Sequence, residues 1–307
     1  MGLRRFIRHH TGWEPRRQRR LHAEDAETAD TDPPLPPEDP LALEKARVME
    51  AHETRSAPPS VLFYTTHKCA SSFMQYFFGA LTQGSAYRVV DIEAAMWEFD
   101  TDVFAGADVS DFISEHSDRL FFRRGEIYSP LRSPIRFPGD DHFRKIFFLR
   151  DPRDIAVSWF YSFSGSHPVP KSPERAAAFH YMTELYERDG IDKVVCEEVA
   201  EKLAERFDGF ARIREDAKDA LYVSYDEYAA DVEAFTRKIA DWLNLDPAPD
   251  VLADIAARAQ PTQKDVDDNR HQRSGRSRQF EAELQPATIA HINEVLGPAL
   301  KEWGFKL

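Results

Sequence analysis

The chain has 307 residues, 42% of them hydrophobic and 30% charged, with a formal net charge of -13 at pH 7. That length can bury a sizeable core, and the acidic balance argues against a general nucleic-acid binder while leaving room for a local cationic pocket. Two cysteines, Cys69 and Cys196, make neither a disulfide framework nor a metal cluster, which points to a reducing, cytoplasmic setting; no apolar run is long enough to span a bilayer, and no signal-peptide core follows the first arginines.

Residues 1–57 read as an appended segment, basic first and then acidic and proline-rich. Residues 1–20 carry seven arginines and one acid, with Phe6, Ile7 and Trp13 among them, and suit either a disordered basic tail or a peripheral contact with an anionic membrane. The stretch 23–40 reads as linker, and 41–52 as a single helix. From there a domain over 58–307 is expected. Strands are predicted at 60–66, 86–92, 118–124, 144–150 and 220–225. Between and after them, helical spacing places Phe73, Met74, Phe77, Phe78 and Leu81 on one face, then marks helices at 174–188 and 191–214. A further helix carries Tyr228, Phe235, Ile239 and Trp242, and a last one runs from about Pro286 to Trp303. Strands alternating with helices predict an α/β domain with a mostly parallel central sheet covered on both faces. Ligands of such sheets bind beyond the carboxyl ends of the strands.

Three polar clusters fall in those places. In "TTHKCASSF" (65–73) a strand ends and a helix begins at Ser71 or Ser72, with Lys68, Cys69 and Ala70 between them. Free amides of a first helical turn, a lysine and two hydroxyls suit an anion; the alternative is a serine-capped helix beside a surface lysine. In "LRDPRDIAVS" (149–158) Arg150 ends a strand and Ser158 lies on the next helix, a pairing of guanidinium fork and hydroxyl that suits a phosphate. Asp151, Pro152 and Asp154 read as helix-start residues, and Arg153 as solvated. The third cluster, "NRHQRSGRSRQF" (269–280), is arginine-rich and free of acids, and Gly275 allows a turn around an anion.

In their order and spacing these stretches resemble the sulfotransferases that use 3′-phosphoadenosine 5′-phosphosulfate (PAPS). The family's P-K-S-G-T-T-W is matched by His67-Lys68-Cys69-Ala70-Ser71-Ser72-Phe73. Its R-[ND]-P-[RK]-D followed by V-S is matched by Arg150-Asp151-Pro152-Arg153-Asp154 with Val157-Ser158. "YVSYDEYAAD" resembles the family's Y-E-D-L stretch, with Tyr225 at the position that faces adenine. Arg273-Ser274-Gly275 stands loosely for R-K-G. Proline, glycine and tryptophan of the first motif are here His67, Ala70 and Phe73, and Ser274 replaces a lysine.

The resemblance implies a P-loop-like sulfotransferase architecture and sulfuryl transfer from PAPS, leaving 3′-phosphoadenosine 5′-phosphate (PAP), to a hydroxyl or amine of a small-molecule, lipid or carbohydrate acceptor. It implies no metal. Lys68 with Ser71 and Ser72 would meet the 5′-phosphate; Arg150, Ser158 and Arg273–Gly275 the 3′-phosphate; Phe73 and Tyr225 the adenine. Setting Arg124-Gly125-Glu126 over the family's K-T-H makes Glu126 the expected general base, with His67 and His142 in reserve. Two other readings stand beside this one: a nucleotide-binding or scaffold protein that keeps the fold without turnover, and a P-loop kinase, which the missing Walker glycines disfavour.

Overall fold

A computed structural model of the chain describes residues 57–92, 117–166, 173–259 and 275–306. The basic and proline-rich segment, the helix expected at 41–52, and Arg273 and Ser274 of the late cluster lie outside the described residues.

Five parallel strands form one sheet: β1 (Val61–Tyr64), β2 (Arg88–Val90), β3 (Glu126–Leu131), β4 (Arg144–Leu149) and β5 (Ala220–Ser224), in the spatial order β2-β3-β1-β4-β5. The mostly parallel α/β sheet predicted from the sequence is therefore present. Its central strands are buried on both faces, and their side chains divide with the two-residue period of a strand. Val61 and Phe63 of β1 and Ile146 and Phe148 of β4 face one core; Leu62 and Tyr64, and Phe147 and Leu149, face the other. Each such fully buried large side chain contributes roughly 1.5–3 kcal/mol.

Helix α1 (Ser71–Leu81) closes the first core with Met74, Phe77, Phe78 and Leu81. The short helix α2 (Ser117–Leu120) precedes β3, and α3 (Pro152–Tyr161) follows β4. The second core is closed by α3 together with the helix α5 (Ala200–Glu215), which contributes Leu203, Phe207, Phe210 and Ile213. Between them, α4 (Pro173–Val194) is broken at Gly190, whose φ of 74° no helix contains, which agrees with the break expected between 188 and 191. After β5 come α6 (Tyr225–Ala230), α7 (Val232–Leu243) and α8 (Pro249–Ala259). The chain then ends in the short α9 (Phe280–Glu283), α10 (Pro286–Val295) and α11 (Gly297–Glu302).

One expected strand is displaced. Residues 118–124 are not a strand: 117–120 form α2, and the strand begins only at Glu126, after Gly125 turns the chain at φ 79°. The aromatic run that suggested a strand serves packing instead. Phe121 stacks on Phe137 at 4.3 Å and meets Tyr128 at 4.6 Å.

The topology fixes where the chemistry sits. The chain leaves β1 toward β2 on one side, and leaves β4 toward β5 on the other, so the order reverses between these neighbours and a crevice opens at their carboxyl ends. Register does the rest. Tyr64 pairs with Phe147 and Leu149 with Ser224, so the loop after β1, Arg150 after β4 and Tyr225 after β5 share one edge of the sheet.

Candidate active site

The loop 65–70 turns sharply into α1. Lys68 and Ala70 both adopt positive φ, at 67° and 48°, conformations that favour glycine. Ala70, at the place where the matched motif has glycine, takes the glycine conformation nonetheless. As the residue preceding α1 it offers no side-chain cap, so the first-turn amides of an eleven-residue helix face the loop without one. Ser71 starts the helix, as expected. Its hydroxyl is buried and accepts from Arg132 Nε at 3.1 Å, while Ser72 is exposed. Phe73 is half-buried, with its ring 5.9 Å from that of Tyr228. Cys69 is fully buried: its thiol donates to the Phe148 carbonyl at 3.4 Å, and burial pushes it up to about 12. Only its backbone is left to meet a ligand.

Lys68 donates from Nζ to the Ser162 hydroxyl at 2.7 Å. Burial first, and then the nearby Arg150 charge, push this ammonium down to about 8.

Arg150 joins the three clusters. Its Nη1 donates to the Lys68 carbonyl at 3.2 Å and its Nη2 to the Arg276 carbonyl at 2.7 Å, and its guanidinium lies 4.4 Å over the Tyr225 ring. Nε is buried and makes no hydrogen bond among the described residues; the nearest acid is Asp154 Oδ2 at 3.9 Å. Tyr225 opens α6 behind a capping box of Ser224 and Glu227, which fixes its ring under Arg150 and beside Phe148. Ser158 sits half-buried on α3, one turn before Ser162. Gly275 adopts φ 63° at the start of the described part of the late cluster.

Glu126 is not brought to this edge. It is the first residue of β3, where its amide bonds the Ser60 hydroxyl at 3.0 Å and its carboxylate is held by Arg88 and the Tyr128 hydroxyl. Five strand steps of about 3.3 Å separate it from the carboxyl end of β3. The alignment that offered it as base presumed a strand ending near residue 124. His142 is likewise misplaced, in the turn that enters β4. His67 stands beside Lys68, exposed, with its ring 5.9 Å edge-on from Trp159.

Two further expectations change. Arg153 is buried rather than solvated: it forks onto Asp151 at 2.9 and 2.7 Å, donates to Asn293 at 2.8 Å, and lies 4.2 Å over Phe280. Asp154 also does more than start a helix. Its carboxylate accepts from the backbone of Arg278 at 2.8 Å and of Phe280 at 3.2 Å, and burial pushes it up to about 6 against the pull of Arg150. Arg132 was missed altogether, because the displaced strand hid the fact that it directly follows the carboxyl end of β3.

The donor set suits an anion with more than one charged group. Lys68 and Arg150 repel each other, one Arg150 nitrogen lacks a hydrogen-bond partner among the described residues, and a helix N-terminus adds its dipole. Among the described residues no helix is long and apolar enough to cross a membrane, and no group of three or more His, Cys, Asp or Glu is placed to hold a metal ion.

Comparison with known proteins agrees with this architecture. The mouse sulfotransferase SULT7A1, solved in complex with PAP, is similar over 85% of this chain and 90% of its own, at 15% identity and a TM-score of 0.51. Retinol dehydratase in complex with androsterone and the inactive cofactor PAP is similar over 86% of this chain and 88% of its own, at 13% identity and a TM-score of 0.44. No curated protein shows a significant match in sequence. The family model described as the sulfotransferase domain matches residues 58–304, and the chain belongs to that family of enzymes.

Proposed function

We propose that the protein transfers a sulfuryl group from PAPS to a hydroxyl or amine of a small-molecule, lipid or carbohydrate acceptor, with His67 taking the acceptor's proton. The observation that carries this reading is Arg150, whose two terminal nitrogens tie the Lys68 loop to the late arginine-rich segment. When bound, PAPS supplies an activated sulfuryl group on a good leaving phosphate. The Lys68 ammonium, the hydroxyls of Ser71 and Ser72 and the amides of the first turn of α1 are the groups that hold the 5′ end and meet its charge. Arg150, Ser158 and the segment that includes Gly275 serve the 3′-phosphate, with Arg273 and Ser274 just before it in sequence. Phe73 serves the adenine, and Tyr225, buried with its ring under the Arg150 guanidinium, acts by holding that arginine.

His67 adjoins Lys68 and is exposed, which lets an acceptor reach both at once. The aromatic side chains of Trp159 and Phe163, with ring centroids 5.2 Å apart, lie on the same side and offer that acceptor an apolar wall.

Calorimetric titration with PAP, adenosine 5′-phosphate (AMP) and ATP with magnesium tests the reading. Wild type is expected to bind PAP tightly without added metal and AMP weakly, and Arg150→Ala to lose the preference. Preference for ATP with magnesium overturns it in favour of a kinase. PAP binding without turnover on any acceptor leaves a nucleotide-binding scaffold.

A further inference from the structure

Asp154 occupies the first turn of α3, where an aspartate ordinarily faces water and supports its own helix. Here Asp151 already does that, accepting from the Arg153 amide at 2.9 Å. Asp154 is 1% exposed and spends both carboxylate oxygens on a segment more than 120 residues away: Oδ2 on the Arg278 amide at 2.8 Å, Oδ1 on the Phe280 amide at 3.2 Å. The Gln279 side-chain amide returns to the Asp154 carbonyl at 3.1 Å. Arg278 is thereby held at φ 58°, and two residues earlier the Arg276 carbonyl accepts from Arg150. Ser277 is tied to Asp226 of α6.

Burying a carboxylate is expensive unless hydrogen bonds compensate it. Among the described residues, two backbone amides and Arg150, 3.9 Å away, do so here. A neutral side chain would fill the same space at less cost. What the charged acceptor adds is a fixed path for residues 275–280 directly over Arg150.

We infer that Asp154 is a positioning residue that sets selectivity for the 3′-phosphate, by holding the late segment so that Arg276 and Arg150 meet the same anion. The inference rests on the PAPS reading above. Charge and positioning predict opposite signs. Neutralising a carboxylate 3.9 Å from Arg150 strengthens the local positive field, so charge alone makes Asp154→Asn bind PAP more tightly.

Positioning makes PAP binding weaker by roughly 10- to 100-fold, while AMP, which lacks the 3′-phosphate, changes by less than about threefold. The experiment is calorimetric titration of PAP and AMP into the full chain, for wild type, Asp154→Asn and Gln279→Ala, with thermal unfolding as a check that each variant is folded. Gln279→Ala should lower the PAP-to-AMP preference in the same direction and by less, and it carries the test alone if Asp154→Asn does not fold. An unchanged preference in the folded variants, or tighter PAP binding, overturns the inference. A wild-type protein with no preference for PAP overturns the parent reading instead, and shows itself before any variant is made.

Discussion

Lys68 donates to the hydroxyl of Ser162, 94 residues along the chain, at 2.7 Å, so a largely buried ammonium rests on a neutral partner. Another cation, Arg150, acts on it, and burial together with that repulsion lowers it to about 8. The site thus sets two cations side by side, and Asp154, 3.9 Å from Arg150, is the acid that approaches them.

That arrangement predicts a pH dependence of ligand binding. Below pH 8 Lys68 is protonated with or without ligand. Above pH 8 the ligand-free lysine loses its proton, whereas a bound phosphate keeps it, so PAP binding takes up a proton and affinity falls by up to about tenfold per pH unit. Calorimetry in two buffers of different ionisation enthalpy measures the uptake directly, and Lys68→Arg should flatten the profile. Stability of the ligand-free protein moves the other way. The unfolded chain binds this proton more tightly, so the lysine's contribution to stability rises between pH 8 and about 10.4.

Ala70 carries a φ of 48° where an L-residue is strained. Ala70→Gly relieves that strain, which is about 1 kcal/mol, although the freer unfolded chain returns part of it. The net expectation is a small gain, up to about 2 °C in Tm, with PAP affinity unchanged or improved. Differential scanning calorimetry decides it. A clear loss of stability would mean that the loop does not hold Ala70 in the left-handed region in solution.

The architecture and the starts of α1 and α3 were legible because they depend on local signals: the unbroken apolar runs of β1 and β4, the Asp151-Pro152 start of α3, and the lysine and serines at the head of α1. Legibility failed where distant segments decide. Phe121 has the pattern of a strand residue, yet it stacks on Phe137 beside α2, and no local rule announces that pairing. Arg153 and Asp154 look like ordinary helix-start residues. Their partners at Asn293, Arg278 and Phe280 come from a part of the chain that returns to α3 only after the whole sheet is built. The error in β3 then propagated to the site, drawing attention to Glu126 and away from Arg132.

Removing the Glu126 carboxylate tests that correction. Glu126→Gln weakens a buried contact with Arg88 and Tyr128 and should lower stability by about 1–3 kcal/mol, with kcat within about threefold of wild type. His67→Ala should lower kcat by about 100-fold and leave PAP affinity intact. Steady-state kinetics beside urea unfolding separates the two. Loss of turnover in a folded Glu126→Gln, with normal turnover in His67→Ala, would reverse the assignment.

Arg132 follows the last residue of β3 and donates from Nε to the buried Ser71 hydroxyl at 3.1 Å, which brings another cation to the head of α1. On the proposed reading an arginine there would do two things: orient the Ser71 hydroxyl toward the anion, and add charge where the 5′-phosphate departs. Arg132→Ala should therefore lower kcat/KM for PAPS by about tenfold and reduce its sensitivity to salt, and Arg132→Lys should recover the salt sensitivity but not the full rate, because a lysine keeps the charge and loses the planar Nε donor. If the two residues act as a pair, Ser71→Ala added to Arg132→Ala costs less than the sum of the single changes, by about 1 kcal/mol. Strict additivity in that cycle would show that Arg132 acts on the ligand without Ser71, and no effect of either change would remove both from the site.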